Sequence, residues 1–282
     1  MFKFPRRYRI ALTAPAGSCD ENTILAGKAV LEKYGNEVIL MPHISDRDSL
    51  GYLSAGDDKR AADINAAVND ENIDLIWAVR GGYGCMRILD KIDWEMLKKR
   101  DIPILGFSDI TALHWAMAKH GINSYFAAPM MKFIAGVCDS LTAETLHAAF
   151  SGEDITLKLD ALRPGKICAY PLPGNLTVAA ALCGTEFFPD TTGKILILEE
   201  VGEAPYRIDR MLTQLRLAGA FEKCAGIVFG SFTGCGETPE VMAVLQNFTG
   251  NVTCPVFCNL PHGHELPFYS ISGRQLISIT PR

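Results

Sequence analysis

The chain has 282 residues, 48% of them hydrophobic and 21% charged, with a formal net charge of −5 at pH 7. That length suits one large or two modest domains with a sizeable core, and the acidic balance argues against a nucleic-acid partner. No apolar run approaches the roughly 18 residues of a membrane span, and the basic start through Arg9 lacks a secretory signal pattern, so a soluble, cytoplasmic protein that does not engage membranes is expected.

The first half alternates strand and helix signals. An apolar run, Arg9 to Ala14, ends in Pro15-Ala16-Gly17-Ser18. A helix is predicted from Glu21 or Asn22, with Ile24, Leu25 and Leu31 among its apolar positions, up to Tyr34-Gly35-Asn36. Strands follow at Glu37–Met41, Ile73–Val79 and Ile102–Leu105, with a helix at Lys59–Val68. Continuous apolar strands between amphipathic helices predict a parallel sheet covered on both faces. From Pro129 to about Gly174 the pattern changes. A short helix, Leu141–Phe150, precedes two alternating runs, 155–159 and 167–170, separated by Pro164-Gly165. This stretch reads as a connector. Beyond it, helices are predicted at 176–183, 208–218 and 239–246, and strands at 194–198, 225–229, 255–258 and 275–279. The expected domains are therefore 1–130, a connector 131–173, and 174–282.

Nine cysteines are scattered, odd in number and without a CxxC. They read as reduced thiols, and no second Cys/His pair stands at zinc-binding spacing.

Four segments carry candidate chemistry. Gly106-Phe107-Ser108-Asp109-Ile110-Thr111 lies between a predicted strand and a helix-like stretch. A serine there is either a helix N-cap or a presented nucleophile. Asp109 is an equally good cap, which leaves the Ser108 hydroxyl free. Arg80-Gly81-Gly82-Tyr83-Gly84 follows a buried strand. It lacks the phosphate-loop ending and reads either as a tight turn or as half of an oxyanion hole, with the Asp109 N–H as the other half. Glu199-Glu200 ends an apolar strand at its carboxyl end, where sites of α/β folds lie. Pro261-His262-Gly263-His264 places two histidines in a loop, where one can serve as general base. A serine, a base, an orienting acid and a donor turn form a set recognised by roles rather than by chain order.

These segments, with Gly174-Asn175-Leu176 and Leu198 to Arg210, lie in the order seen in the LD-carboxypeptidases, and the chain resembles that family of serine peptidases over nearly its whole length. The family includes muramoyl-tetrapeptide carboxypeptidases and microcin C immunity peptidases. The resemblance implies a flavodoxin-like (Rossmann-like) N-terminal α/β domain, a smaller C-terminal α/β domain and an active site between them. It implies Ser108 as nucleophile, His264 rather than His262 as base, and Glu199 rather than Glu200 as the orienting acid. Gly82 and Asp109 would supply the oxyanion amides. Gly81, Arg80, Asn175 and Arg207 would contact substrate, the two arginines by charge alone. No metal or organic cofactor is implied, homodimers are common in the family, and the expected substrate is a murein tetrapeptide that loses its terminal D-alanine. An aminoacyl-nucleotide conjugate and a non-catalytic peptide-binding protein are the rival readings.

Overall fold

A computed structural model describes residues 4–127 and 139–282. The first unit holds β1 (Arg9–Thr13), α1 (Glu21–Lys33), β2 (Glu37–Leu40), α2 (Asp57–Asn69), β3 (Leu75–Ala78), α3 (Trp94–Arg100), β4 (Ile104–Gly106), α4 (Thr111–Lys119) and β5 (Tyr125–Phe126). The first helix starts where Asp20 accepts from the Thr23 amide at 2.8 Å, a side-chain cap for an otherwise orphaned donor. The parallel strands run in the order β2-β1-β3-β4-β5. That is the flavodoxin-like order expected from the sequence, with its switch point between β1 and β3. The loops after those two strands, Pro15–Gly17 and Arg80–Gly84, face each other there, and the Gly17 amide donates to the Gly81 carbonyl at 3.2 Å.

The second unit opens with α5 (Ser140–Ser151), β6 (Ile155–Arg163), β7 (Ile167–Asn175) and α6 (Leu176–Ala181). Then come β8 (Lys194–Val201), α7 (Pro205–Leu217), β9 (Gly226–Thr233), α8 (Thr238–Thr249), β10 (Val256–Cys258), β11 (Ile271–Ser272) and β12 (Ile277–Pro281). Six of these strands close a barrel in the order β10-β6-β12-β7-β8-β9. Its interior is filled by Ile155, Ile167, Ile195, Ile197, Val228, Phe257, Ile277 and Ile279. The two runs read from sequence as a connector are thus staves of the barrel. Their alternating burial is that of strands with one face in a barrel core and the other toward solvent. The expected boundary at residues 130 and 131 lies outside the described residues.

Two features join the units. The α4 helix packs on β7: the Trp115 indole donates to the Pro173 carbonyl at 2.8 Å, and the Asn175 amide donates to Thr111 Oγ1 at 2.9 Å. One apolar core accordingly contains Ile110 and Trp115 from the first unit and Leu172, Leu176 and Ile208 from the second. In addition, β11 leaves the barrel and pairs antiparallel with β5, completing the edge of the first sheet. Two-residue strands carry no periodicity, so neither β5 nor β11 is legible from hydrophobic pattern alone.

Candidate active site

Ser108 sits between β4 and α4 with φ +64°, a left-handed conformation that is uncommon for a non-glycine residue. Such strain at a strand-to-helix turn pushes the side chain out of the backbone's path. The turn is possible because Gly106 carries no side chain: a Cβ there would stand 2.6 Å from Ile110 Cγ2. Gly81 is equally constrained, since its Cβ would lie 2.8 Å from Ser108 Cβ and 3.1 Å from its Oγ. Gly82, at φ +117°, then turns the chain against Gly17.

Neither Ser108 nor Asp109 caps α4, which has no side-chain cap. The capping role expected for Asp109 is absent for a physical reason. Its carboxylate is buried and accepts from the Cys85 amide at 2.8 Å, tying the serine turn to the end of the Arg80–Gly84 loop. Burial pushes the Asp109 carboxyl upward, and this backbone bond opposes the shift.

The Ser108 hydroxyl faces His264 instead, with Oγ 3.2 Å from Nε2. On the other side of the ring, Nδ1 lies 2.8 Å from Glu199 Oε2. A carboxylate only accepts, so this bond places the ring proton on Nδ1 and leaves the Nε2 lone pair toward the serine. Phe107 packs on the His264 ring with centroids 4.6 Å apart.

Glu199 is fully buried at the end of β8, where the register with β9 shifts between Leu198 and Glu200. Irregularities of this kind re-aim side chains near functional sites. Desolvation raises its carboxyl above the usual range, while bonds from His264 and Asn175 pull the other way. Glu200 is also buried, but Thr177 N and Oγ1, Val201 N and Asn175 Nδ2 occupy its oxygens at 2.7–3.0 Å. The choice between the two carboxylates is therefore set by what each one already binds.

His262 lies apart from the serine. It is fully buried, its Nδ1 is 2.8 Å from the Tyr269 carbonyl, and Phe107, Phe126 and Phe268 surround it. Burial drives its pKa down to about 4. Its own carbonyl accepts from the Ser231 amide at 2.9 Å, which sews the histidine loop onto β9. The two histidines thus do not converge on a common ligand, and the described residues hold no cluster of three metal-ligating side chains.

The expected substrate contacts divide. Arg80 and Gly82 line an open cleft of about 560 Å³ with Gly17, Ser18, Gly51, Tyr52 and Tyr83. Asn175 does not face that cleft: it is buried, caps α6 through the Val178 amide, and spends its Nδ2 on Glu199 and Glu200. Its amide donates to both carboxylates, as a buried polar group must find partners. Arg207 is exposed and engages Glu203 at 3.3 Å and Tyr206 Oη at 3.2 Å at the start of α7. Glu186 is exposed and takes no part in these contacts.

Sequence reasoning misses Arg60 altogether. This fully buried guanidinium on α2 donates to the Ala55 carbonyl at 3.0 Å and the Gly84 carbonyl at 2.9 Å, and also binds the Pro15 carbonyl and Asp57. It braces the loops after β1 and β3 from behind. A charged residue in an amphipathic helix normally signals a solvated face, so only the three-dimensional path of those loops exposes its role.

Residues 10–127 match the LD-carboxypeptidase N-terminal domain family, and residues 170–274 match the LD-carboxypeptidase C-terminal domain family. The murein tetrapeptide carboxypeptidase of Pseudomonas aeruginosa is 30% identical over 272 residues, covering 91% of this chain and 88% of that protein. A crystal structure of muramoyltetrapeptide carboxypeptidase from Oxalobacter formigenes superposes with a TM-score of 0.82 at 27% identity, covering 94% of this chain and 92% of that one. The microcin C7 self-immunity protein MccF, solved in complex with aspartyl sulfamoyl adenosine, shares the fold at a TM-score of 0.82 and 20% identity, over 100% of this chain and 99% of that one. With both domain families matched in order and the serine, histidine and glutamate drawn together between them, the chain belongs to the LD-carboxypeptidase family of peptidases.

Proposed function

We propose that this protein is a cytoplasmic serine carboxypeptidase that releases the terminal D-alanine from murein tetrapeptide during cell-wall recycling. The observation that carries the reading is the continuous hydrogen-bonded path from Ser108 Oγ through the His264 ring to Glu199. Ser108 attacks the carbonyl of the residue preceding D-alanine, and His264 Nε2 takes the hydroxyl proton. Glu199 stabilises the imidazolium that forms. The Gly82 and Asp109 amides hold the developing oxyanion, each donor being worth roughly 3–4 kcal/mol of barrier. When the tetrahedral intermediate collapses, the C–N bond breaks and His264 returns its proton to the leaving amine. Water, deprotonated by the same ring, then cleaves the acyl-serine ester and regenerates the hydroxyl.

The substrate class is supported by the family and by the murein-peptide activity for which the relatives are named. Chromatographic detection of D-alanine from purified tetrapeptide tests it. Wild type is expected to release D-alanine, and Ser108→Ala is expected to lose turnover while keeping its circular dichroism and melting midpoint. Near-normal turnover in Ser108→Ala would sink the mechanism. Hydrolysis of an aminoacyl sulfamoyl nucleotide, with tetrapeptide left intact, would replace the substrate assignment.

A further inference from the structure

An exopeptidase must recognise the end of its substrate, and the open cleft lined by the glycine loop that packs on the serine holds a group suited to that task. We infer that Arg80 binds the free C-terminal carboxylate of the substrate and so restricts the enzyme to the last peptide bond. This rests on the peptidase reading above.

Geometry comes first. In a peptide, the carboxylate of the final residue lies about 4 Å from the carbonyl carbon under attack, a single-residue step. Its receptor must therefore sit one residue's length from the nucleophile. The site a Cβ would take on Gly81 is 3.1 Å from Ser108 Oγ, and the corresponding site on Gly82 is 3.9 Å from Arg80 Nη2. The Gly81-Gly82 turn thus touches the hydroxyl on one residue and the guanidinium on the next, and the guanidinium lies on the wall of the cleft.

Its bonding state comes second. Arg80 Nε donates to the Gly81 carbonyl at 3.3 Å and Nη1 donates to the Ser18 carbonyl at 3.2 Å. These two carbonyls fix the plane of the group without neutralising it. No carboxylate pairs with Arg80 among the described residues, whereas Arg207, the other arginine singled out by charge, is matched to Glu203. A planar guanidinium held by backbone carbonyls keeps further N–H donors for a two-point bond to a carboxylate.

The surroundings come third. Tyr52 and Tyr83, with ring centroids 5.9 Å apart, line the same cleft. Their rings offer an apolar wall for the side chain of the substrate's last residue beside its carboxylate. Arg47, an exposed side chain 3.4 Å from Ser18 Oγ, adds positive potential nearby but does not line the cleft.

The test compares peptides ending in L-lysyl-D-alanine or L-diaminopimelyl-D-alanine, each as the free acid and as the C-terminal amide. Turnover is measured for wild type, Arg80→Gln, Arg80→Lys and the control Arg207→Gln. Binding of the same peptides is measured by calorimetry in Ser108→Ala and Ser108→Ala/Arg80→Gln. Wild type should prefer the acid by about 100-fold, the size expected for losing charge-assisted bonds. Arg80→Gln should abolish that preference by weakening the acid and sparing the amide, and Arg80→Lys should restore only part of it. Arg207→Gln should leave it intact. An acid preference that survives in Arg80→Gln, in turnover or in binding, overturns the assignment. So does equal binding of acid and amide by Ser108→Ala. Failure of the peptidase reading itself looks different: wild type would then cleave neither peptide, while the binding comparison would still decide the role of Arg80.

Discussion

Replacing Gly81 by alanine isolates the contact between the glycine loop and the nucleophile. The added methyl would stand 2.8 Å from Ser108 Cβ and 3.1 Å from both Ser108 Oγ and the Phe107 carbonyl. Carbon atoms prefer about 3.5–4.0 Å, so the overlap with Ser108 Cβ alone is about 0.7 Å or more. The neighbours cannot yield cheaply. Ser108 is already held at φ +64°, and the Phe107 carbonyl accepts from the Ile110 amide at 3.4 Å. Overpacking of this kind costs roughly 1–3 kcal/mol of stability. The larger effect is kinetic, because relief of the clash moves Oγ away from His264 Nε2, now 3.2 Å distant. A misplacement of about 1 Å lowers turnover by about 100-fold. D-alanine release, the rate of fluorophosphonate labelling and a urea melt measure the three consequences together. Gly121→Ala is the control, since φ is +74° there and nothing lies within 4 Å, so it should cost stability without touching turnover. A Gly81→Ala enzyme within about threefold of wild-type kcat/KM would refute the reasoning, since transition-state stabilisation would then be intact.

Glu199→Gln keeps the side-chain shape but presents an NH₂ group to His264 Nδ1, which favours the wrong tautomer. Turnover should fall by about 10⁴-fold, with the fold retained by circular dichroism; a loss under about tenfold would argue against the orienting role. His114 and His262 are fully buried, and burial drives their pKa values to about 3 and about 4. The unfolded chain therefore takes up protons that the folded one refuses, and stability is full above about pH 6.5 and lost as pH falls toward those values, by about 1.4 kcal/mol per histidine per pH unit. The raised carboxyls of Asp63, Asp109 and Glu199 act in the opposite sense at the lower end of that window. A urea midpoint that stays flat between pH 6.5 and 5.5 would contradict this account. Arg60→Met removes a buried cation braced on three loop carbonyls and Asp57. It should destabilise by about 3–5 kcal/mol, read as a lower urea midpoint, and should slow fluorophosphonate labelling of Ser108; an unchanged midpoint would show that the loops hold themselves.

The legible part of this protein is the part written in local pattern. Buried strands between amphipathic helices mark the first sheet as parallel and covered on both faces, while its strand order follows only from the family resemblance. The serine two residues after Gly106 marks the strand-to-helix turn, because the tight approach at Gly106 and Gly81 demands absent side chains. Assigning His264 over His262 is harder, since nothing in Pro261-His262-Gly263-His264 tells which ring is buried among Phe107, Phe126 and Phe268. The surroundings of Asn175 are hidden for a related reason. A polar residue at a strand end reads as a ligand contact, and nothing in the local sequence shows that two carboxylates accept from its amide. The barrel is hidden because 155–159 and 167–170 alternate like exposed hairpin strands, and closure depends on pairings with β10 and β12 more than 90 residues away.

The pairing of β11 with β5 also sets an order of events during synthesis. As the first 127 residues leave the ribosome, β5 stands as an open sheet edge, a template for pairing with the wrong chain. The residues that cover it, Ile271 and Ser272, arrive only after the loop that carries His264. A nascent chain in which β11 has paired with β5 has therefore already made the loop whose His264 faces Ser108. Covering that edge and completing the Ser108–His264–Glu199 path both wait for the second unit.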